Sequence, residues 1–172
     1  TMITEFWDAE SGGFFFTSND HEQLVVRNKD LYDNATPSGN SVAADVLLKL
    51  AKLTGENKYE RFAVAVLRLA AVQIRRHPQG FGRALSAMEF HLGSTKEIVV
   101  VGEKGNELER TLLAGYHPDS VVVLARGDEE PDLPLLVDRP AIGGNATAYV
   151  CRDLVCLRPV TDPADLVAAI RS

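Results

Sequence analysis

The sequence predicts a mixed α+β protein, with packed helices in its first half and a small α/β segment in its second. Two observations lead to this prediction. Apolar residues recur at helical spacing from about residue 41 to about residue 92. From residue 97 onward they form short β-branched runs, which are typical of strands buried on both faces. We therefore place a helical part at residues 1–94 and an α/β part at residues 95–172.

The composition is that of a globular chain, because 45% of the 172 residues are hydrophobic and 24% are charged. A formal net charge of −6 argues against nucleic-acid binding, since surfaces that bind phosphates need a basic excess. No apolar stretch approaches the ~18 residues of a membrane helix. The first residues do not resemble a signal peptide either. We expect a cytoplasmic protein that binds neither nucleic acid nor membrane.

The start of the chain allows two interpretations. Phe6 and Trp7 are already apolar, so either residues that precede them are missing or the chain opens with a short helix. Residues 13–27 then predict a β-hairpin. Its two extended arms are residues 14–17 and 24–27, and residues 18–20 supply polar turn chemistry between them.

Three helices are predicted after a polar loop. The first covers residues 41–53, where Val42, Val46 and Leu50 form an apolar stripe. Ser38 or Asn40 can cap this helix by accepting a backbone N–H bond. A second helix at residues 57–75 follows the Thr54-Gly55 stop and completes a helical hairpin. A third, weaker helix is expected at residues 80–92.

The second half predicts a parallel βαβ unit followed by a hairpin. Strands are expected at residues 97–102 and 120–124, with a helix at 106–116 between them. Residues 146–151 predict a third strand, and residues 155–157 its hairpin partner. Asp162 precedes a proline and should cap a last helix that ends near residue 170.

The polar loop is the first candidate site, because residues 33–41 are dense in hydrogen-bonding groups beside a helix N-terminus, where N–H groups favour polar ligands. Asp33 is a candidate general acid or base, and Tyr32 and Arg27 could orient a substrate. The same residue types also build any capped turn, so a purely structural loop is the alternative.

The sequence predicts neither a cofactor nor a metal ion. The glycine turn at residues 102–105 lacks the spacing of nucleotide-binding loops, and its flanking glutamates would repel a phosphate. Cys151 and Cys156 could supply half of a metal site, but no further ligands stand nearby.

Cys151 and Cys156 are the second candidate site. A two-residue turn at residues 153–154 would place the two cysteines directly opposite each other, where a bond between them can form. A redox switch is therefore one interpretation. Two packed free thiols are the other, and they are the state expected in a reducing cytosol.

Several stretches together resemble a known family, the thioredoxin-domain-containing proteins that include the spermatogenesis-associated protein of animals. The most specific are residues 33–41 and Tyr149-Val150-Cys151 with Cys156. The remaining matches are residues 12–17, 32, 42–44, 53–55, 99–102, 148 and 159–162. The resemblance implies an N-terminal thioredoxin-like domain, then an (α/α) six-hairpin barrel similar to N-acylglucosamine 2-epimerases and glycosidases, then a C-terminal α/β segment.

By this resemblance the chain would be the final hairpins of an incomplete barrel plus the α/β segment, without the thioredoxin-like domain or its cysteine motif. The implied partners are that domain, the rest of the barrel and a small carbohydrate. Arg27, Tyr32 and Ser38 would then contact the carbohydrate, Asp33 would transfer a proton, and Asn40 would position a hydroxyl. The alternative is a non-enzymatic scaffold that docks and positions a thioredoxin-like redox domain. The apolar faces of an incomplete ring should also favour self-association.

Overall fold

The computed structural model describes residues 1–21, 26–126, 133–152 and 155–172. The predicted mixed α+β class is confirmed, since the described residues form helices and a four-stranded sheet. The chain divides into two compact units. The first comprises Thr1–Ala51 and Glu56–His91, and the second comprises Lys52–Gly55 and Leu92–Ser172.

The helices of the first half lie close to their predicted positions. They are α2 (Gly39–Thr54), α3 (Asn57–Arg76) and α4 (Gly82–Leu92), with a 3₁₀ turn at Pro78–Gly80 before α4. A short helix, α1 (Met2–Phe6), precedes them, which is one of the two interpretations considered for this segment. Among the described residues no helix has both the length and the apolar character needed to cross a bilayer.

The buried face of α2 differs from the predicted stripe. Ala43, Ala44 and Leu47 are at most 4% exposed, whereas Val42 and Val46 are 38% and 42% exposed. The helix is apolar around most of its circumference, so periodicity could not identify which side faces the core. Val42 and Val46 therefore form an exposed apolar stripe on this helix, one turn apart.

The predicted β-hairpin at residues 13–27 is not a regular hairpin where the structure describes it. Phe14 forms an isolated antiparallel bridge with Trp7 instead. The N–H of Phe16 donates to the carbonyl of Asn28 at 2.8 Å, one residue beyond the predicted second arm. Residues 22–25, which include part of the second arm, lie outside the described residues.

The second unit contains a four-stranded sheet in the order β2-β1-β3-β4. Its strands are β1 (Lys96–Val101), β2 (Ser120–Ala125), β3 (Thr147–Arg152) and β4 (Val155–Cys156). Strands β1 and β2 are parallel, as predicted, and α5 (Glu107–Leu113) lies between them in sequence. Strand β3 pairs antiparallel with β1, and β4 pairs antiparallel with β3.

One face of this sheet carries the core of the second unit. Ile98, Val100 and Val150 cluster there with Leu112 of α5 and Leu166 of α6. Helix α6 spans Pro163–Arg171 and begins at the predicted cap, where the Asp162 carboxylate accepts hydrogen bonds from the next two N–H groups after the proline. Because successive side chains of a strand alternate between faces, Glu97, Val99 and Cys151 point to the opposite face.

Candidate functional site

The Asp33 carboxylate binds backbone N–H groups from two segments of the first unit. One oxygen accepts the N–H of Ser38 at 2.8 Å. The other accepts the N–H groups of Arg83 at 2.8 Å and Ala84 at 3.1 Å. Because Arg83 and Ala84 lie in the first turn of α4, Asp33 caps that helix and ties it to the loop before α2.

These contacts decide the charge of Asp33. Burial raises its pKa, but hydrogen bonds from the Ser38 backbone, the Ser41 side chain and the Ala84 and Arg83 backbones outweigh burial, so the pKa is lowered. Asp33 is therefore an anion at neutral pH and a weak proton acceptor. Capping accounts for this carboxylate without a role in proton transfer.

Ser38 is the cap of α2, one of the two predicted possibilities. Its hydroxyl oxygen accepts the N–H of Ser41 at 3.1 Å, and its hydroxyl proton is donated to the Ser41 hydroxyl at 2.9 Å. Each of these serines is 2% exposed. The Ser38 hydroxyl is thus used inside the loop, where it stabilises the start of the helix.

Asn40 is not a cap; its side chain holds two segments together. The amide oxygen accepts the N–H of Phe14 at 2.7 Å. The amide nitrogen donates to the carbonyls of Phe14 and Asp30, both at 2.8 Å. Both N–H donors of the amide are therefore used, and the side chain is 3% exposed. This arrangement fixes the aromatic segment around Phe14 against the polar loop.

Arg27 also holds segments of the first unit together, through contacts that differ from those of Asp33. Its guanidinium donates to the Asn19 side chain at 2.7 Å and to the Thr17 carbonyl. The same group lies over the ring of Phe15, 4.1 Å from the ring centre. These contacts join neighbouring segments of the N-terminal region, so the Arg27 side chain stabilises the fold.

Tyr32 packs its ring edge-on against Phe81, with the ring centres 5.2 Å apart. A side chain on Gly80 would overlap the Tyr32 ring, so this glycine provides the space for the tyrosine. The structure thus brings Asp33, Ser38 and Ser41 together, whereas Arg27 and Asn40 contact other groups.

Sequence reasoning missed the buried acid Asp45. This residue is 5% exposed, and its carboxylate binds the Arg83 guanidinium and, at 3.1 Å, the Lys49 ammonium. The one available signal is the spacing of Asp45 and Lys49, four residues apart on one helix. The ion pair with Arg83 could not be predicted from local sequence, because Arg83 lies 38 residues from Asp45.

The first unit also has an exposed aromatic recess, here called the Phe16 groove. Phe16 is 79% exposed and stands at its edge. The cavity holds about 200 Å³, and its lining consists of Met2, Phe6, Phe14, Phe15, Phe16, Asp30, Gly39, Asn40 and Ala43. A second recess of about 280 Å³ shares Phe16 and Asp30 with it and adds Thr17, Val26, Asn28 and Lys29. Seven of the nine residues that line the Phe16 groove are apolar, whereas four of the six that line the second recess are polar or charged.

In the second unit, Cys151 and Cys156 face each other across strands β3 and β4, in the predicted register. They form a disulfide, with their Cα atoms 3.9 Å apart, so the expectation of two free thiols is wrong. The directly opposed positions of an antiparallel pair bring the two sulfurs within bonding reach. The pairing of β3 with β4 therefore favours the disulfide. The expectation of free thiols rested on the assumption of a reducing cytosol.

Arg139 lies against this disulfide. One of its terminal nitrogens is 3.5 Å from the Cys151 sulfur and 3.3 Å from the Cys156 sulfur. The other donates to the Leu135 carbonyl, which holds the guanidinium in place. Burial raises the pKa of Tyr149, and the Arg139 charge opposes that rise.

In the ranges that the structure describes, no group of three or more His, Cys, Asp or Glu side chains could hold a metal ion. In the first unit the Asp33 carboxylate binds backbone N–H groups, and the Asp45 carboxylate binds cations. Their geometry is that of caps and ion pairs.

Comparison with known proteins relates the chain to animal sequences. It is 33% identical over 170 residues to human spermatogenesis-associated protein 20 and 32% identical to the rat protein of that name. The mouse protein is 31% identical over the same length. These matches cover 94% of this chain but 22% of each relative, so the chain spans about a fifth of their length. No family model matches the chain.

Proposed function

We propose that this chain acts as a non-enzymatic scaffold in a longer protein, where the first unit docks and positions a thioredoxin-like redox domain. The observation that carries the proposal is the Phe16 groove, an apolar surface beside a loop whose polar side chains are engaged internally. Asp33, Ser38 and Asn40 form hydrogen bonds with backbone groups of the chain itself. What this face offers to a partner is therefore apolar surface.

The exposed residues of this face are large and near one another in structure. Phe16 and Val26, 79% and 64% exposed, share one recess, and Met2, 38% exposed, lines the other. Covering a phenylalanine or valine side chain completely contributes about 1.5–3 kcal/mol. Contiguous apolar surface of this kind is characteristic of a docking site.

Helix α2 adds to the same argument. Its first turns supply Gly39, Asn40 and Ala43 to the wall of the groove. Val42 and Val46 of the same helix are also exposed and form an apolar stripe. The relatives are several times longer than the matched segment, so they contain further chain that could cover such a stripe.

The test is a titration of the chain with an isolated thioredoxin-like domain, followed by calorimetry. We expect saturable binding that Phe16→Ser weakens by about tenfold or more, because a buried aromatic side chain is lost from the interface. Val72→Ser is the matched control: Val72 is 61% exposed on α3 but does not line the groove. Absence of binding, or equal binding by both variants, would refute the docking proposal.

Carbohydrate binding is the second candidate, and the recess beside Phe16 is the observation that favours it. Phe16 lines this recess together with Asn28, Lys29 and Asp30. Small-ligand sites combine apolar wall residues with polar groups that fix the orientation of the ligand, and this recess contains both kinds of residue. In this second candidate function the sugar would bind beside Asp30, because the Asp33 carboxylate is engaged in capping α4.

Titration with N-acylhexosamines and simple disaccharides tests this second candidate. If the recess binds them, Asp30→Asn should weaken binding while folded Asp33→Asn retains it. Loss in Asp33→Asn alone, with its fold intact, would restore Asp33 as the site residue. No saturable binding by the unsubstituted chain would exclude this sugar site.

A further inference from the structure

The Cys151–Cys156 disulfide is asymmetric in its exposure. Cys151 is 1% exposed, whereas Cys156 lies on the exposed, two-residue edge strand β4. An external thiolate must approach the sulfur that it attacks. The Cys156 sulfur is thus the accessible one, and the Cys151 sulfur is the leaving group on the protected side.

Arg139 supplies a positive charge beside the two sulfurs, which stabilises the reduced state of the cysteine pair. Its terminal nitrogen is within hydrogen-bonding distance of both sulfurs, at 3.5 and 3.3 Å. A disulfide carries no charge that needs such a partner, whereas a thiolate is stabilised by a neighbouring guanidinium. Because the Leu135 carbonyl binds the other terminal nitrogen, the cation is already in place before any thiolate forms.

Glu97 is the third group of this site. It is directly opposite Cys151 in the β1–β3 register, so the two side chains share a face of the sheet. Glu97 is 3% exposed, and its Oε2 atom has no hydrogen-bond partner. Buried polar atoms are generally paired, so an unpaired carboxylate oxygen here requires an explanation. A carboxyl group in this position can exchange a proton with the buried Cys151 sulfur.

We propose that Cys151 and Cys156 form a redox-active pair that exchanges with a dithiol, and that Arg139 and Glu97 assist the exchange. The thiolate of the dithiol attacks the Cys156 sulfur, which forms a mixed disulfide and breaks the bond to Cys151. Cys151 leaves as a thiolate beside Arg139 and takes a proton through Glu97. The second thiol of the reductant then attacks its own mixed-disulfide sulfur and releases Cys156. The dithiol loses two electrons and two protons, and the cysteine pair gains them.

This inference is independent of the docking and carbohydrate proposals, because its residues all lie in the second unit. It also specifies the chemistry of the reductant. A dithiol can complete both steps within one molecule, whereas a monothiol such as glutathione needs two molecules. Faster exchange with a dithiol than with a monothiol of similar thiolate fraction is therefore expected.

The test equilibrates the native chain in dithiothreitol and glutathione redox buffers at about pH 8, where thiolates are populated. Alkylation and mass spectrometry then count the free thiols. We expect reversible reduction while the circular dichroism stays native. Arg139→Gln should shift the equilibrium toward the disulfide by about tenfold, or about 30 mV for two electrons. Arg139→Lys should restore part of the shift, because it keeps the charge.

Arg158→Gln is the matched control, since Arg158 is an exposed arginine two residues after Cys156. It should change the equilibrium by less than about twofold, because screening weakens exposed charges.

Reaction rates test the roles of the two cysteines and of Glu97. Cys151→Ser, which leaves Cys156, should form mixed disulfides at least about tenfold faster than Cys156→Ser, since exposure governs attack. Glu97→Gln should slow reduction of the pair by about tenfold or more.

Three results would overturn the proposal. The first is a disulfide that reduces only when the second unit unfolds. The second is an Arg139→Gln equilibrium equal to that of Arg158→Gln in protein of native circular dichroism. The third is equal reactivity of Cys151 and Cys156 in the two serine variants. An unchanged reduction rate in Glu97→Gln would remove Glu97 from the step.

Discussion

Replacing Asn40 with alanine should destabilise the first unit by about 2–3 kcal/mol. Its side chain makes three hydrogen bonds: two buried ones with the backbone of Phe14 and a partly buried one with the carbonyl of Asp30. At about 1 kcal/mol each, these contribute about 3 kcal/mol. Asn40 is the second residue of α2, where alanine's higher helix propensity returns about 0.6 kcal/mol. The substitution also leaves the buried Phe14 N–H without a partner, which acts in the destabilising direction.

Urea unfolding followed by tryptophan fluorescence measures this effect within the first unit. Trp7 is the chain's one tryptophan, and its ring centre lies 5.1 Å from that of Phe14 and 4.7 Å from that of Phe62. The fluorescence therefore reports on the segment that Asn40 holds. Asn34→Ala is the control, because Asn34 is an exposed residue of the same loop and should change stability by less than about 0.5 kcal/mol. A loss below about 1 kcal/mol in Asn40→Ala, at an unchanged denaturant slope, would refute the reasoning.

Three further substitutions test other contacts. Because the folded pKa of Asp33 is lowered, its carboxylate stabilises the fold above its ordinary pKa of 3.8 and loses that effect as pH falls below it. Asp33→Asn should thus be less stable at pH 7 and show a flatter acid limb in pH-dependent thermal denaturation. Gly80→Ala should cost about 1–3 kcal/mol in urea unfolding, since the added methyl overlaps a tyrosine ring, whereas Gly39→Ala meets nothing within 4 Å and should not destabilise. Leu112→Ala should cost about 2–5 kcal/mol by circular dichroism, against less than about 0.5 kcal/mol for its exposed neighbour Leu113→Ala.

The second half of the fold could be predicted because its signals are local and agree with one another. The β-branched runs near residues 98 and 121 became β1 and β2, and the proline after Asp162 marked the start of α6. The hairpin register followed from turn length alone, so Cys151 and Cys156 were placed opposite each other. Their oxidation and their contact with Arg139 could not be predicted, since Arg139 approaches from 12 residues away in an irregular segment.

The first half was harder because its decisive contacts are long-range. Phe14 pairs with Trp7 and is held by Asn40, 26 residues away, and neither partner is visible in the local pattern of a hairpin. Helix α2 shows the same difficulty in another form. Its apolar positions exceed what one core-facing stripe needs, and Val42 was assigned to the core although it is exposed.

The loop at residues 33–41 shows why a polar motif does not by itself reveal a site. Its aspartate, serines and asparagine are the residues that a ligand site uses and also the residues that a capped turn uses. The number of polar atoms does not separate the two, but their direction does. At Asp33, Ser38 and Asn40 they are directed to backbone groups of the chain itself. At Glu97 a buried oxygen has no such partner, and at Arg139 a cation faces two sulfurs. Polar groups that the fold does not pair are therefore the stronger indication of chemistry. The Nε atoms of Arg27 and Arg83 are also buried without a partner, but their guanidinium groups are bound through their terminal nitrogens, whereas the unpaired Glu97 oxygen lies beside Cys151.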